Sequence, residues 1–255
     1  VEPDTIENFV RYFVDPEVMA AVGNVKVGNT NTLIGVIQHL EFLFSFYFKK
    51  ADSLMNSIYI IGGAAGAFRR EIFDELGGYT VTNITEDIEL SMRIQNAGMR
   101  VVYADDAVVY TEGASELKGL VKQRLRWKRG RFETFGEYVH MFFSLRREHS
   151  KPLTFLILPL AMFAELQLFL EGWFLLYLYM YAVVTHDFTA FISGIIVVSS
   201  MFVVQVLFED KQTRTASFVF LAPIAWLLFY VMPYVETSAL IKSVWAKTPD
   251  NTSDI

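Results

Sequence analysis

Two short stretches of this chain bring together residue types that can do chemistry. Thr85-Glu86-Asp87 stands at the head of an amphipathic run, and Gln123-Arg124-Leu125-Arg126-Trp127 begins 36 residues after Asp87. In the first, Thr85 suits a helix N-cap, and two carboxylates follow in the turn where the helix dipole favours negative charge. A carboxylate poised there can take a proton from a hydroxyl; the same three residues also serve as a plain helix cap. In the second, Gln123, Arg126 and Trp127 fall at i, i+3 and i+4 and share one helix face. That face offers an amide, a planar cation and an aromatic plate. A guanidinium fork matches phosphate oxygens, and an indole plate suits a sugar ring. The competing reading is a membrane-proximal basic helix, because residues 118–131 hold seven Lys+Arg that can pair with anionic headgroups.

The elements that must position these residues follow from the pattern around them. Ala21 to Val27 predicts a strand that ends in the turn Gly28-Asn29-Thr30-Asn31. Leu33 to Lys50 has helical spacing and an aromatic face (Phe42, Phe44, Phe46, Tyr47, Phe48) that fits either a core or a membrane surface. After Ile58-Tyr59-Ile60-Ile61 come the glycine-rich residues 62–67, then a short helix, Glu71 to Leu76, stopped by Gly77-Gly78. Thr85 opens the next helix, supported by an i,i+4 pair of Glu89 and Arg93 and stopped at Gly98. The strand Arg100 to Tyr103 and a basic helix from Leu117 to about Tyr138 complete an α/β layer.

Beyond residue 151 the composition changes. The 255 residues are 53% hydrophobic and 15% aromatic, with a mean hydropathy of +0.33, above an ordinary soluble domain. Residues 1–151 hold 18 of the 22 Lys+Arg, and none lies between Pro152 and Asp210. Phe188 to Phe208 and Ser217 to Val235 are uncharged runs long enough to cross a hydrocarbon core of ~30 Å. Leu153 to Val184 is longer and carries Glu165 and Glu171, which at membrane depth must face protein, headgroups or a wet cavity. The expected division is therefore a water-facing unit over residues 1–150 and a membrane unit over 151–255 with about three transmembrane helices. Arg146, Arg147 and Lys151 place the water-facing side in the cytoplasm, and the cell membrane is the expected location. The absence of cysteine excludes disulfides and thiolate chemistry, and the net charge of −6 argues against nucleic acid as a partner.

The ordered set of Thr85-Glu86-Asp87, Gln123-x-x-Arg126-Trp127 and apolar spans resembles the processive family 2 glycosyltransferases, the poly-N-acetylglucosamine, hyaluronan, chitin and cellulose synthases. Gly62 to Arg70 together with Ile84 to Leu90 look most like the poly-N-acetylglucosamine branch. The resemblance implies the C-terminal part of a GT-A type transferase domain followed by transmembrane helices. It implies Asp87 as the base for the acceptor hydroxyl, within the Thr85-Glu86-Asp87 motif. It implies Arg126, with Gln123 and Arg124, on the leaving diphosphate, and Trp127 stacked on the acceptor sugar. Its partners are a nucleotide sugar, UDP-GlcNAc above all, a growing polysaccharide, the lipid bilayer and an accessory membrane subunit. The family's Asp-x-Asp, which binds Mg2+ or Mn2+, is not in these residues, and Glu2-Pro3-Asp4-Thr5 resembles the segment that follows it. The chain accordingly reads as a segment of a longer protein, without a signal peptide, that holds the acceptor half and is inactive alone. A non-processive transferase acting on a lipid phosphate, and a non-catalytic membrane subunit, are the alternatives.

Overall fold

A ten-residue run made mostly of valine, alanine and glycine forms the centre of the sheet. In the computed structural model, which describes residues 1–208 together with Tyr234, Val235 and Thr237, β1 (Val18–Val27) is buried on both faces, as an inner strand requires. It pairs antiparallel with β2 (Gly66–Phe68) and parallel with β3 (Arg100–Thr111), so the strand order is β2-β1-β3. The fold is mixed α/β. The end of the glycine-rich segment contributes β2, a strand that the sequence pattern did not indicate.

The β1–β3 register slips where Gly23 faces Ala104 and the next residue, Asn24, faces Val108. A side chain at Gly23 would stand 2.7 Å from the Ala107 carbonyl and from the Phe9 ring, so only glycine lets the strands close over this slip. Asp105 and Asp106 lie in the bulged stretch. Asp105 accepts hydrogen bonds from Lys50 Nζ (2.7 Å) and Tyr12 Oη (3.1 Å), and Arg11 Nη1 lies 3.9 Å from Asp106. This acidic pair ties α1 (Thr5–Tyr12) and the next helix to the sheet.

The crossover from β1 to β3 carries three helices: α2 (Leu33–Leu54), α3 (Arg70–Leu76) and α4 (Glu86–Asn96). α2 starts where the Thr32 hydroxyl accepts the Gly35 N–H at 3.0 Å. Its aromatic face is only partly packed. Phe46 meets Tyr103 of the sheet, Phe44 meets Phe202 of a later apolar helix, and Tyr47 and Phe48 remain exposed. α5 (Leu117–Glu137) follows β3 and carries the basic stretch.

A π-helical turn at Leu153–Ile157 leads into α6 (Leu158–Thr185), which ends at His186 in the left-handed region, and α7 (Thr189–Phe208) follows. Leu153 and Leu158 are buried with Met92 and Phe135, so the first turns of the apolar half are seated in the α4–α5 core. Among the described residues one helical stretch, Thr189–Leu207, is long and apolar enough to cross a membrane; Leu153–Glu165 and Leu176–Thr185 are shorter apolar stretches. The uncharged run from Ser217 to Val235 lies outside the described residues except at its end, where Val235 packs with Phe202, Leu40 and Leu120.

Candidate active site

α4 begins where its sequence indicates, but Thr85 does not cap it with its hydroxyl. The side chain is buried and turns back: its backbone N–H and its hydroxyl both donate to Asn83 Oδ1, at 2.9 and 3.2 Å. The first turn closes on the Thr85 carbonyl, which accepts from Ile88 and Glu89 N–H. Glu86 is exposed, and Asp87 is part-buried beside it.

Asp87 is fixed by the main chain on both oxygens. Oδ2 accepts the Gly63 N–H at 2.8 Å and Oδ1 accepts the Ile88 N–H at 2.9 Å. Its carbonyl accepts the Ser91 hydroxyl at 2.5 Å, and that hydroxyl accepts the Ile61 N–H at 2.8 Å. The glycine-rich segment is thereby laced to α4 at two points. Each carboxylate oxygen keeps a further lone pair for a proton. The segment from Gly77 to Asn83 that leads into α4 is held from behind by Arg93, which donates to the Leu76 and Gly78 carbonyls and pairs with Glu89 as its spacing predicts. Tyr138 donates to the same Glu89 at 2.8 Å.

The second motif meets the first through a glycine. Gly130 continues the stripe of Gln123, Arg126 and Trp127 by one turn of α5. A Cβ on Gly130 would overlap Thr85 Oγ1 and lie 2.5 Å from its Cγ2, so the two helices touch backbone to side chain at this point. Thr134, a turn further on, bonds the Gly130 carbonyl (2.9 Å) and accepts from Asn83 Nδ2 (3.1 Å). The stripe therefore ends on the first residue of the Thr-Glu-Asp motif, with Arg126 and Trp127 about one helical turn, ~5 Å, along it.

The members of the stripe differ in their surroundings. Arg126 is exposed and makes no hydrogen bond or ion pair among the described residues. Gln123 Oε1 is buried and has no partner among them. Trp127 is part-buried, with Phe42 of α2 beside it at 6.4 Å. Arg124 is the exception: it is 4% exposed, its guanidinium lies 4.3 Å from the centre of the Trp127 ring, and its Nη2 meets Glu41 at 2.5 Å. It stands under the plate rather than on the open face.

Among the other cations of α5, Lys118, Lys122 and Arg129 are exposed, and two are turned inward. Lys128 and Arg131 both pair with Glu165 of α6, and Lys128 and Glu165 are almost fully buried. The carboxylate that sits awkwardly in the apolar sequence thus faces protein. Lys49 of α2 lies in the same region; burial pushes its ammonium down to about 8, with nearby Arg131 adding to the shift and Asp52 opposing it. Sequence reading also passed over Tyr79, whose phenol is pushed up by burial and by the Asp87 and Glu86 carboxylates. An aromatic residue in a glycine-led loop just before the acidic motif was the available signal.

A divalent metal needs converging oxygen or nitrogen ligands. Among the described residues no three His, Cys, Asp or Glu side chains form such a group. The side chains here do not by themselves make a metal site, and no step below passes through one.

The mixed sheet thus carries the Thr85-Glu86-Asp87 turn, whose first residue packs against the α5 stripe. Residues 1–130, just over half of the chain, match the family described as glycosyltransferase like family 2, and the chain belongs to that family of transferases. Among curated relatives, the poly-β-1,6-N-acetyl-D-glucosamine synthase of Staphylococcus aureus is 30% identical over 153 residues, covering 60% of this chain and 36% of that protein. The synthase of the same name from Staphylococcus epidermidis is 29% identical over 129 residues, 50% of this chain and 31% of that one. The chain spans about a third of the length of these relatives. Among solved structures, a mannosyltransferase from Pyrobaculum calidifontis in complex with GDP-Man and Mn2+ superposes with a TM-score of 0.47 at 20% identity, over 96% of this chain and 59% of that one.

Proposed function

We propose that this chain carries the acceptor side of a membrane-embedded, inverting, processive β-glycosyltransferase of GT-A type that lengthens a polysaccharide from a nucleotide sugar, UDP-GlcNAc. The observation that carries this reading is the junction of the two motifs: Asp87, held by two backbone N–H groups, lies in the first turn of the helix whose N-cap residue, Thr85, packs against Gly130 of the Gln-Arg-Trp stripe. Similarity to the poly-β-1,6-N-acetyl-D-glucosamine synthases supports the choice of sugar, and α7 supports the membrane.

In this reading the acceptor sugar lies on Trp127, with its hydroxyl toward Asp87. The acceptor oxygen attacks the anomeric carbon as the bond to the diphosphate oxygen breaks, and the hydroxyl proton passes to Asp87. Arg126 holds the departing diphosphate with its forked donors, helped by Gln123. A divalent cation, if bound, would supply positive charge for that diphosphate; none of the side chains named here is assigned to hold it. The water-facing half lies in the cytoplasm, and the polymer leaves along the apolar helices.

The test is labelled-sugar incorporation from UDP-GlcNAc by the full-length protein. Asp87→Asn keeps size but removes the proton acceptor, and its amide can accept only one of the two backbone N–H bonds that the carboxylate accepts. It is expected to lower turnover ~10²–10⁴-fold while UDP binding stays within about threefold. Synthesis close to wild type in that variant would reduce Asp87 to a helix-capping residue and overturn the reading.

A further inference from the structure

We propose that Glu41 of α2 is a positioning residue for the acceptor plate: through Arg124 it fixes the plane of Trp127. The proposal rests on the role given to Trp127 above. An indole stacks on a sugar ring only when its plane is held, and a tryptophan on a helix surface has two side-chain torsions to settle. Here the guanidinium of Arg124 lies over the ring at 4.3 Å, a cation–π contact that restrains both.

That cation is itself buried, with a side chain 5% exposed. A buried guanidinium without an anion is strongly disfavoured and would turn out toward water. Glu41 removes the conflict, its Oε2 meeting Arg124 Nη2 at 2.5 Å. The carboxylate is in turn well anchored. Its neighbour Leu40 is buried against Leu120 of α5, and Phe42 lies beside Trp127. The chain of action runs from a carboxylate on α2, through a cation on α5, to the ring. Through that chain Glu41 should govern binding of the acceptor and leave the diphosphate alone.

Two measurements on the full-length protein test this. In a form with every tryptophan but Trp127 changed to Phe, Trp173, Trp226 and Trp245 among them, Trp127 is the sole emitter. Glu41→Gln is expected to shift its emission and to raise its quenching by acrylamide about twofold, while Glu41→Asp stays near wild type; unmoved emission overturns the proposal. In elongation assays with UDP-GlcNAc as donor and a β-1,6-linked N-acetylglucosamine tetramer as acceptor, Glu41→Gln should raise the acceptor KM about tenfold, the scale of one desolvated cation–π contact. UDP affinity should stay within about twofold, and the effect should vanish in a Trp127→Phe background. A fall in UDP affinity as large as the rise in KM, or full additivity with Trp127→Phe, also overturns it. Should emission respond to Glu41 while neither Glu41→Gln nor Trp127→Phe alters elongation, the platform role of Trp127 fails and its positioning by Glu41 stands.

Discussion

Asp87 is held by the main chain, and Trp127 is held by Arg124 of its own helix, which a carboxylate of α2 holds in turn. The first arrangement is local: Gly63 and Ile88 supply N–H groups, and Ser91 ties the following turn to Ile61. Backbone donors have fixed geometry and do not depend on which side chains surround them. The second is distributed. Arg124 depends on Glu41, and Lys128 and Arg131 depend on Glu165, partners 83, 37 and 34 residues away. The base end should therefore tolerate changes around it and fail only when its own atoms or the backbone approach are altered. The plate end should be sensitive to substitutions on α2 and α6 that touch no substrate.

The junction of the two ends offers the largest effect after loss of Asp87 itself. Gly130→Ala places a methyl where the Thr85 side chain already stands, overlapping Oγ1 and 2.5 Å from Cγ2. The neighbour is a buried side chain with little room to turn, so α4 and α5 must separate. Expected are a loss of about 1–3 kcal/mol in stability, read from thermal unfolding, and a fall in sugar transfer larger than the stability loss explains. A variant with wild-type melting and wild-type transfer would show that the contact does not set the site.

Next come three substitutions on α5 that the two arrangements separate. Arg126→Lys keeps charge but cannot make a planar, two-pronged contact, so UDP binding should weaken about tenfold with melting unchanged. Trp127→Phe should reduce elongation and leave UDP binding alone. Lys128→Gln should do the reverse of Arg126→Lys: it leaves the buried Glu165 with less compensation, lowering the melting temperature while UDP binding holds. Equal, mild changes in all three would favour a helix that only meets headgroups.

These contrasts explain what was legible in the sequence. The order of β1, α2, α3, α4, β3 and α5, the helix start at Thr85 and the Glu89–Arg93 pair were readable because caps, glycine stops and i,i+4 spacing are local signals, whereas α1 and β2 were not read. The role of Arg124 was not, since its neighbour in sequence, Arg126, has the same chemistry and only the fold puts one under Trp127 and the other outside. Lys128 looked equivalent to Lys122 for the same reason, yet it is buried against α6 while Lys122 is exposed. Thr85 was readable as a helix start but not as a packing surface, because Gly130, which makes room for it, lies 45 residues on. The slip in β3 that gives Asp105 and Asp106 their structural partners left no pattern in the alternation of side chains.

The smallest expected effect concerns pH, and it probes the charged side of the contrast directly. Lys49 donates to the Ile60 carbonyl at 3.1 Å and lies in the field of Arg131 and Asp52. Burial lowers its pKa from 10.5 to about 8. Between those values the unfolded chain holds a proton on this amine that the folded chain has released. Stability should therefore rise with pH from about 8 to about 10.5, because the unfolded state binds more protons there. Below pH 8 both states are charged, and the cost of burying the ammonium is fully present. Lys49→Met removes the titrating group and keeps most of the apolar stem, so the difference in melting temperature between variant and wild type should be largest near pH 7.5 and shrink by pH 9.5. A constant difference across that range would mean that Lys49 reaches solvent, and that α2 meets α5 through Glu41 without a second buried charge beside it.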